Sequence, residues 1–557
     1  MATRSVGTAK GIEGMALFED FLSLAGLHKN YTQHFCTADL YAMDLIEDRQ
    51  DLGIAGVIRL WERYSREMPG GKINLYLTAP FCFRHCSYCL FFKKTPKNKA
   101  ELEDYKDKLV GLAGAFGPLF KKLEFENLFF GGGTPSLFSE KQLQEICDKV
   151  VSRARVFKDG AKTFECEPLT ATRKKLEIAA GAGFNRVSVG VQSLDQKVLK
   201  ILNREYQTYG MVRDFMTAAH EFGFKEINID LMIGVAGDTR AAFIDSFKRT
   251  LALKPTTIAV YQLVPNQEYL DAWYGGDKAA FFKYSLGFRR GVYRELARIA
   301  RENGFVCPRL EKFCMADKMA GSVVFQDKKV GIKQEYSLNE IGPEDSYFTL
   351  GHRGDSYIPN LAFYQTTPLT RDPAKNVFKT TPLEGRRAME FYCLRKLSSY
   401  NELYRADFRR LFKRDVMAVF AREMRGFVKA GCARVLKDKI VFDKTDIKTR
   451  FLIAMVFVGR ARVEARINAW LRERRIVLRF REFSYEAYAV YGAGGKLAFR
   501  AAPLSGSKRS ALFESMTGRI FSGVRPGATL HDSVLAFETA LGRLEGGLRS
   551  RFGVGVR

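Results

Sequence analysis

A chain of 557 residues has room for roughly three or four structural units, or for one large catalytic body with appendages. It is 46% hydrophobic and 27% charged, and its most conspicuous apolar run, 451–459, is less than half a membrane span; this composition argues for a globular protein and against a membrane-spanning one. The formal charge of +27 is uneven, with 32 basic and 15 acidic residues in 401–557, a field that draws in polyanions or acidic partners and says little about fold.

In chain order, residues 1–70 read as a helical extension with amphipathic candidates at 15–27 and 54–68, and they show no apolar signal region followed by a cleavage site. The expected location is the cytoplasm. From 71 to about 266 one grammar repeats, in which a short β-rich apolar run leads through a small or polar turn into a helical stretch. The runs are 73–78, 126–130, 163–167, 186–192, 226–233 and 257–264; the helical stretches are 100–120, 140–151, 172–181, 211–222 and 240–253. Six strand-helix units with right-handed crossovers predict an α/β fold, a parallel (β/α)6 sheet curved into a barrel or part of one. A long Arg-rich helix follows at 279–305, then a mixed α+β region at 306–445 that includes a helix at 384–397. The tail from 446 is basic, and its Arg-dense stretch 460–481 reads as a solvated helix face rather than a binding surface. The expected domains are 1–70, 71–305, 306–445 and 446–557.

The ten cysteines show no disulfide-framework spacing, but three of them are crowded together. In NLYLTAPFCFRHCSYCLFF, beginning at Asn74, Cys82, Cys86 and Cys89 form a C-x3-C-x2-C loop just past the end of the first strand. Three thiolates on one loop can hold three irons of a [4Fe-4S] cluster and leave the fourth open to a small chelating molecule. The alternative is a zinc site or three ordinary buried cysteines. Structural zinc wants four ligands, and only His85 lies nearby, so the ligand count favours the cluster.

Polar residues recur where the other strands end. Gly131, Gly132, Gly133 and Thr134 follow the second strand in FFGGGTPSLF, a turn in which backbone groups can approach an amino or carboxylate group; a plain turn explains it equally well. Glu165 ends the third strand, Gln192 the fourth, and Asp230 lies on the fifth. Each alone could be a satisfied polar group, but barrel chemistry gathers at the carboxyl ends of strands, and together they suggest a site.

The cysteine spacing placed after a first parallel strand resembles the radical S-adenosylmethionine (SAM) superfamily. Membership implies that SAM chelates the open iron and is cleaved by one electron to methionine and a 5'-deoxyadenosyl radical. Within it, LYLTAPFC, GGGTPS, FECEP, RVSVGVQSLD followed by NR, and NIDLMIGVAGDT resemble, in order and spacing, the oxygen-independent coproporphyrinogen III oxidase-like group. That likeness covers about 70–265 and extends more weakly to about 430. It implies SAM contacts for Tyr76, Gly133, Thr134, Glu165, Gln192, Arg204 and Asp230, and implies a partial radical SAM barrel as the fold.

The chain departs from the oxidases at three places. Phe91 stands where they carry a further cysteine, Thr78 where they usually carry histidine, and Gly351–Ser356 reads GHRGDS where they carry a G-x-G-A-x-S-like segment. These departures favour two other branches: methylases or cyclopropanases that use two SAM molecules, and haem-trafficking proteins. The favoured expectation is a two-SAM C-methyltransferase or cyclopropanase acting on an unsaturated substrate. The alternatives are a coproporphyrinogen oxidase-like oxidoreductase and a haem-binding trafficking protein with His352 or Cys314 as a candidate axial ligand. Expected partners are a reductase or flavodoxin-type electron donor and a small-molecule or carrier-bound substrate. No specific nucleic-acid module is evident.

Overall fold

The structure, a computed structural model, describes residues 49–89, 94–307, 322–329, 345–399 and 401–442, with parts of 453–503 and residue 539. The expected helix at 15–27, Phe91, Cys314 and most of the basic tail lie outside the described residues. Among the described residues no helix is long and apolar enough to cross a membrane. The chain divides into two compact units, Asp48–Glu384 and the segment from Gly385 onward.

The first unit is built on one 13-stranded sheet. Its strands are β1 (Gln50–Gly53), β2 (Ile73–Ala79), β3 (Asn127–Gly132), β4 (Lys162–Cys166), β5 (Arg186–Gln192), β6 (Glu226–Ile233), β7 (Thr257–Gln262), β8 (Phe305–Val306), β9 (Ser322–Asp327), β10 (Ser346–Leu350), β11 (Asp355–Ile358), β12 (Ala362–Thr366) and β13 (Val377–Pro382). The order across the sheet is β1-β13-β12-β11-β10-β2-β3-β4-β5-β6-β7-β9-β8. β10 and β2 to β7 run parallel, and antiparallel strands flank them on both sides. The six expected parallel strands are all present, within two residues at each end. The sheet stays open and is not closed into a barrel.

The expected division after 305 falls inside this sheet, because β9 to β13 continue it. Antiparallel strands take up the hydrogen bonds that a parallel block would otherwise leave open at its edges. The expected division at 70 is likewise internal, since β1 pairs with β13. Helix α1 (Ile54–Glu67) follows β1 and buries Trp61 against Phe348 of β10, with ring centroids 5.0 Å apart, while its indole N–H donates to the Tyr364 hydroxyl at 2.9 Å. Trp61→Ala is expected to cost about 3–5 kcal/mol, read as a lower denaturant midpoint. Trp61→Phe should cost less, since most of the buried area survives and only the bond to Tyr364 is lost.

Between the parallel strands lie α2 (Lys99–Ala115), α3 (Gly117–Phe120), α4 (Glu140–Lys149), α5 (Arg173–Gly181), α6 (Gln196–Ile201), α7 (Tyr209–Glu221) and α8 (Arg240–Ala252); α9 (Gln267–Tyr274) and α10 (Lys278–Glu302) follow β7. Their starts are legible as polar caps: Asn98, Ser139, Thr172, Asp195, Thr208, Thr239, Asn266 and Asp277 each accept a bond from a first-turn backbone N–H. Each strand turns one apolar row into the main core: Leu75 and Leu77, Leu128 and Phe130, Phe164, Val187 and Val189, Ile229 and Leu231, Ile258 and Val260. The opposite row is polar, with Tyr76, Glu165, Ser188, Asn228, Asp230 and Thr257 on it. Alternation of period two therefore separates a core face from a second face that carries the candidate chemistry.

The second unit starts with α11 (Gly385–Ser399) and contains a small antiparallel sheet of β14 (Glu402–Tyr404), β15 (Arg434–Val435) and β16 (Lys439–Val441). A further antiparallel sheet is formed by β17 (Ile476–Phe480), β18 (Phe483–Tyr491) and β19 (Leu497–Pro503). The stretch 460–481 is therefore not one helix face: its end, IVLRF, is β-branched and aromatic enough to pair as a strand.

Candidate cluster and cofactor site

Pro80 and Phe81 carry the chain out of β2 into the cysteine loop. The loop is tied at both ends, with Lys94 N–H donating to Pro80 O at 2.7 Å and Cys82 N–H to Lys94 O at 3.1 Å. Its middle is tied to the end of α6 and the start of α9: Ser87 Oγ donates to Ile201 O at 2.8 Å, Asn203 Nδ2 to His85 O at 2.6 Å, and Asn266 Nδ2 to Ser87 O at 2.9 Å. Cys82, Cys86 and Cys89 are all half-buried, whereas Cys147, Cys166, Cys393 and Cys432 are buried core residues. Among the described residues no group of three or more His, Cys, Asp or Glu is gathered as a ready single-ion site, and the His85 side chain is exposed.

The glycine turn after β3 lies against this loop. Gly133 N–H donates to Ala79 O at 2.6 Å and Thr134 N–H to Phe81 O at 2.7 Å. Thr134 Oγ1 reaches Cys82 Sγ at 3.5 Å. Gly132, at φ +103°, adopts a backbone that disfavours other residues and aims its N–H at Glu165 Oε2, 3.2 Å away. A Cβ on Gly131 would lie 2.3 Å from the same carboxylate oxygen. Tyr76 stacks on Phe129 with centroids 5.4 Å apart, beside this turn. Gln192 ends β5 on an irregular register at φ +67° and is buried.

Glu165 and Asp230 share the polar face. Asn228 Nδ2 donates to Asp230 Oδ1 at 2.6 Å, and Ser188 Oγ to Asp230 Oδ2 at 3.4 Å. Burial, then the charge of Asp230, pushes Glu165 up to about 7; burial pushes Asp230 up to about 6 against the bonds from Asn228 and Ser188. An acid whose folded value is raised binds its proton more tightly in the folded state. Its contribution is complete below the unfolded values near 4 and is lost as pH climbs through about 6 to 7. The ligand-free protein is therefore expected to lose melting temperature between about pH 4 and 7, with the two acids titrating as a pair. Glu165→Gln and Asp230→Asn should each flatten that slope in scanning calorimetry.

Arg204 closes the other side. It returns from the end of α6 through Asn203, whose φ is +58°, and its buried guanidinium donates to Gly190 O at 2.6 Å and to Cys86 Sγ at 3.6 Å. Burial opposes its charge, but Tyr88, Cys86, Tyr206 and Glu167 around it hold it cationic. The structure thus joins Cys82, Thr134, the glycine turn and Glu165 in one chain of contacts, with Asp230 beside Glu165, and separately sets Arg204 on Cys86. Sequence reasoning does not single out Glu167, Ser188, Tyr206, Gln207 or Asn228. A signal for Ser188 and Asn228 is present in RVSVGVQ and EINIDLMI, where every second position up to Asp230 is polar or small.

Residues 76–250 match the radical SAM superfamily. That segment forms a radical SAM domain. The donor chemistry agrees with it: three thiols on one loop suit an iron-sulfur cluster, and the paired carboxylates Glu165 and Asp230 suit a ligand that carries an ammonium and a sulfonium. The chain is similar to an oxygen-independent coproporphyrinogen III oxidase of Pseudomonas aeruginosa, 31% identical over 195 residues that cover 34% of this chain and 42% of that protein. It is also similar to the heme chaperone HemW of Buchnera aphidicola, 28% identical over 201 residues, 35% of this chain and 52% of that one. The chain thus spans about half the length of these relatives. Among solved structures, coproporphyrinogen III oxidase (HemN) from Escherichia coli superposes with a TM-score of 0.57 at 20% identity, covering 73% of this chain and 94% of that one. The fold around the radical SAM domain is therefore shared with that enzyme.

Proposed function

We propose that the chain is a radical SAM enzyme in which Cys82, Cys86 and Cys89 hold a [4Fe-4S] cluster and the polar face of β2 to β6 holds SAM. Its reaction is read as an oxidation of the coproporphyrinogen oxidase type. The observation that carries this reading is the contact of the thiol loop with the glycine turn, Thr134 Oγ1 to Cys82 Sγ, beside the bond from Gly132 N–H to Glu165 and with Arg204 on Cys86. When bound, the cluster and SAM supply one-electron cleavage of the sulfonium and a carbon radical that abstracts hydrogen.

The residues do the positioning. Gly133 lets the turn pack directly on the backbone that leads into the thiol loop, since any side chain there would strike Phe81 O and Ala79 O. Glu165 and Asp230 offer negative charge to the ammonium and sulfonium of SAM. Because both are raised toward neutrality, SAM is expected to bind more tightly as pH rises through about 6 to 7 while its ammonium stays protonated. Tyr76 and Thr134 border the same turn. Gln192 ends β5, and Arg204, beyond α6, reaches Gly190 of that strand and Cys86 of the thiol loop.

The missing cysteine at Phe91 pointed to a two-SAM methylase or cyclopropanase. The relatives named oxygen-independent coproporphyrinogen III oxidase favour oxidation instead, because a match along 195 residues outweighs the departures at Phe91, Thr78 and Gly351–Ser356. A haem-carrying role is the second reading. It is favoured by the likeness to HemW and by His352, which follows β10, the strand paired with β2, and whose proton affinity burial lowers.

Anaerobic reconstitution with SAM and dithionite separates the readings. Oxidation yields 5'-deoxyadenosine without S-adenosylhomocysteine; methyl transfer yields both. Tight haem binding with negligible SAM cleavage would establish the carrier role and end the enzymatic one. Equilibrium dialysis counts whether one SAM or two are bound, and an acidic flavodoxin-type protein tests the expected electron donor.

A further inference from the structure

Beside the thiol loop Arg204 is joined by the buried Glu167 and Gln207 and the half-buried Tyr206, which the positioning described above does not use. Arg204 and Glu167 are 5% and 7% exposed, and their closest approach, Nη2 to Oε2, is 3.8 Å. Glu167 Oε2 accepts the Tyr206 hydroxyl at 3.0 Å, while Glu167 Oε1 and Arg204 Nε are buried without a hydrogen-bond partner. Arg204 Nη2 is also held by Gln207 Oε1 at 3.3 Å, and Gln207 is itself locked by Nε2 donating to Val191 O at 2.8 Å and to Ser193 O at 3.1 Å. Tyr206 packs edge-on against Phe83 of the cysteine loop at 5.9 Å and lies under Arg84, which pairs with Glu205 at 2.7 Å. Residues 204–207 therefore grip the loop at Phe83, Arg84 and Cys86.

A buried pair this far apart is a poor device for stability, because desolvation of both charges is not repaid at 3.8 Å. Its placement suits another task. A guanidinium donating to a cluster-ligating sulfur stabilises the additional negative charge of the reduced cluster, and hydrogen bonds to sulfur together with net local charge are what set such potentials.

We propose that Glu167, acting with Tyr206, is a positioning residue that holds the Arg204 guanidinium on the Cys86 sulfur and thereby raises the reduction potential of the cluster. This rests on the assignment of Cys86 as a cluster ligand. The step concerned is the one-electron reduction of the cluster by an external reductant such as dithionite; no bond is made or broken. The proposal separates two opposite effects of Glu167. As a bare negative charge it would disfavour reduction, so its removal would make reduction easier. As the anchor of Arg204 it favours reduction, so its removal makes reduction harder.

The test is a redox titration, followed by electron paramagnetic resonance, of the full chain reconstituted anaerobically without SAM, which keeps any SAM contact of Arg204 out of the measurement. Glu167→Gln and Arg204→Gln are each expected to lower the reduced-to-oxidised ratio at a fixed potential about tenfold, equivalent to about 59 mV for a one-electron couple. The double variant should shift no further than Arg204→Gln alone, and Tyr206→Phe should shift in the same direction by less. A rise or no change in Glu167→Gln with full iron loading overturns the proposal. Should Arg204→Gln fail to take up iron, Arg204→Lys and Tyr206→Phe carry the same comparison, and an unshifted potential in both overturns it as well. Absence of a cluster in the unaltered protein would instead defeat the functional assignment.

Discussion

Cys86→Ala is expected to abolish both the thiolate-to-iron absorption near about 400 nm and all formation of 5'-deoxyadenosine, because two remaining thiols on the loop cannot hold a cubane. Cys393→Ala is the matched control. Cys393 is fully buried in α11, where burial pushes its thiol up and keeps it protonated, and it belongs to the second compact unit. Its loss removes one sulfur from a packed helix at a cost of about 1 kcal/mol and should leave absorption and SAM cleavage intact. Iron and sulfide content, spectrum and product are measured on both proteins. Equal losses in the two would mean that the loop has no special role, and zinc in place of iron in the unaltered protein would defeat the assignment outright.

Gly133→Ala should have the second largest effect. The added methyl would sit 2.4 Å from Phe81 O and 2.7 Å from Ala79 O, both backbone atoms that no rotamer change can move aside. Relief requires the turn to retreat, which breaks the bonds from Gly133 N–H and Thr134 N–H and takes away the support of Cys82. Such overpacking costs about 1–3 kcal/mol. We expect a lower melting temperature, at least about tenfold weaker SAM binding, and reduced iron loading, the last because the same carbonyls belong to the segment that leads into the cysteine loop. Gly114→Ala, in α2, is the comparison: its methyl meets nothing within 4 Å, and helix propensity favours alanine by about 1 kcal/mol. A Gly133→Ala protein with unaltered SAM affinity and iron content would show that the turn is only a turn.

Much of the first unit is legible without coordinates, because its signals are local. The alternation in RVSVGVQ and EINIDLMI gives strand and face together, and polar caps such as Ser139 and Thr239 give the helix starts. The spacing of Cys82, Cys86 and Cys89 needs nothing beyond the chain itself, since ligands a few residues apart can always meet on one loop. The flanks are less legible. Strands such as DSYI and AFYQT are too short to declare their partners, and only the exposed edge of the parallel block decides that they extend one sheet rather than found another domain.

The amino-acid sequence by itself determined the thiol loop, the glycine turn, the six parallel strands and the identity of the polar residues at their ends, since each depends on contacts between near neighbours. Tertiary packing alone brings Arg204 to Cys86, 118 positions away, sets Glu167 beside Arg204, and buries Glu165 and Asp230 so that each holds its proton more tightly, Glu165 further so because Asp230 is near. Those relations arise from side chains brought together by parallel strands that are neighbours in the sheet and distant in the chain. No local pattern encodes the distance between two charges or the water excluded from around them.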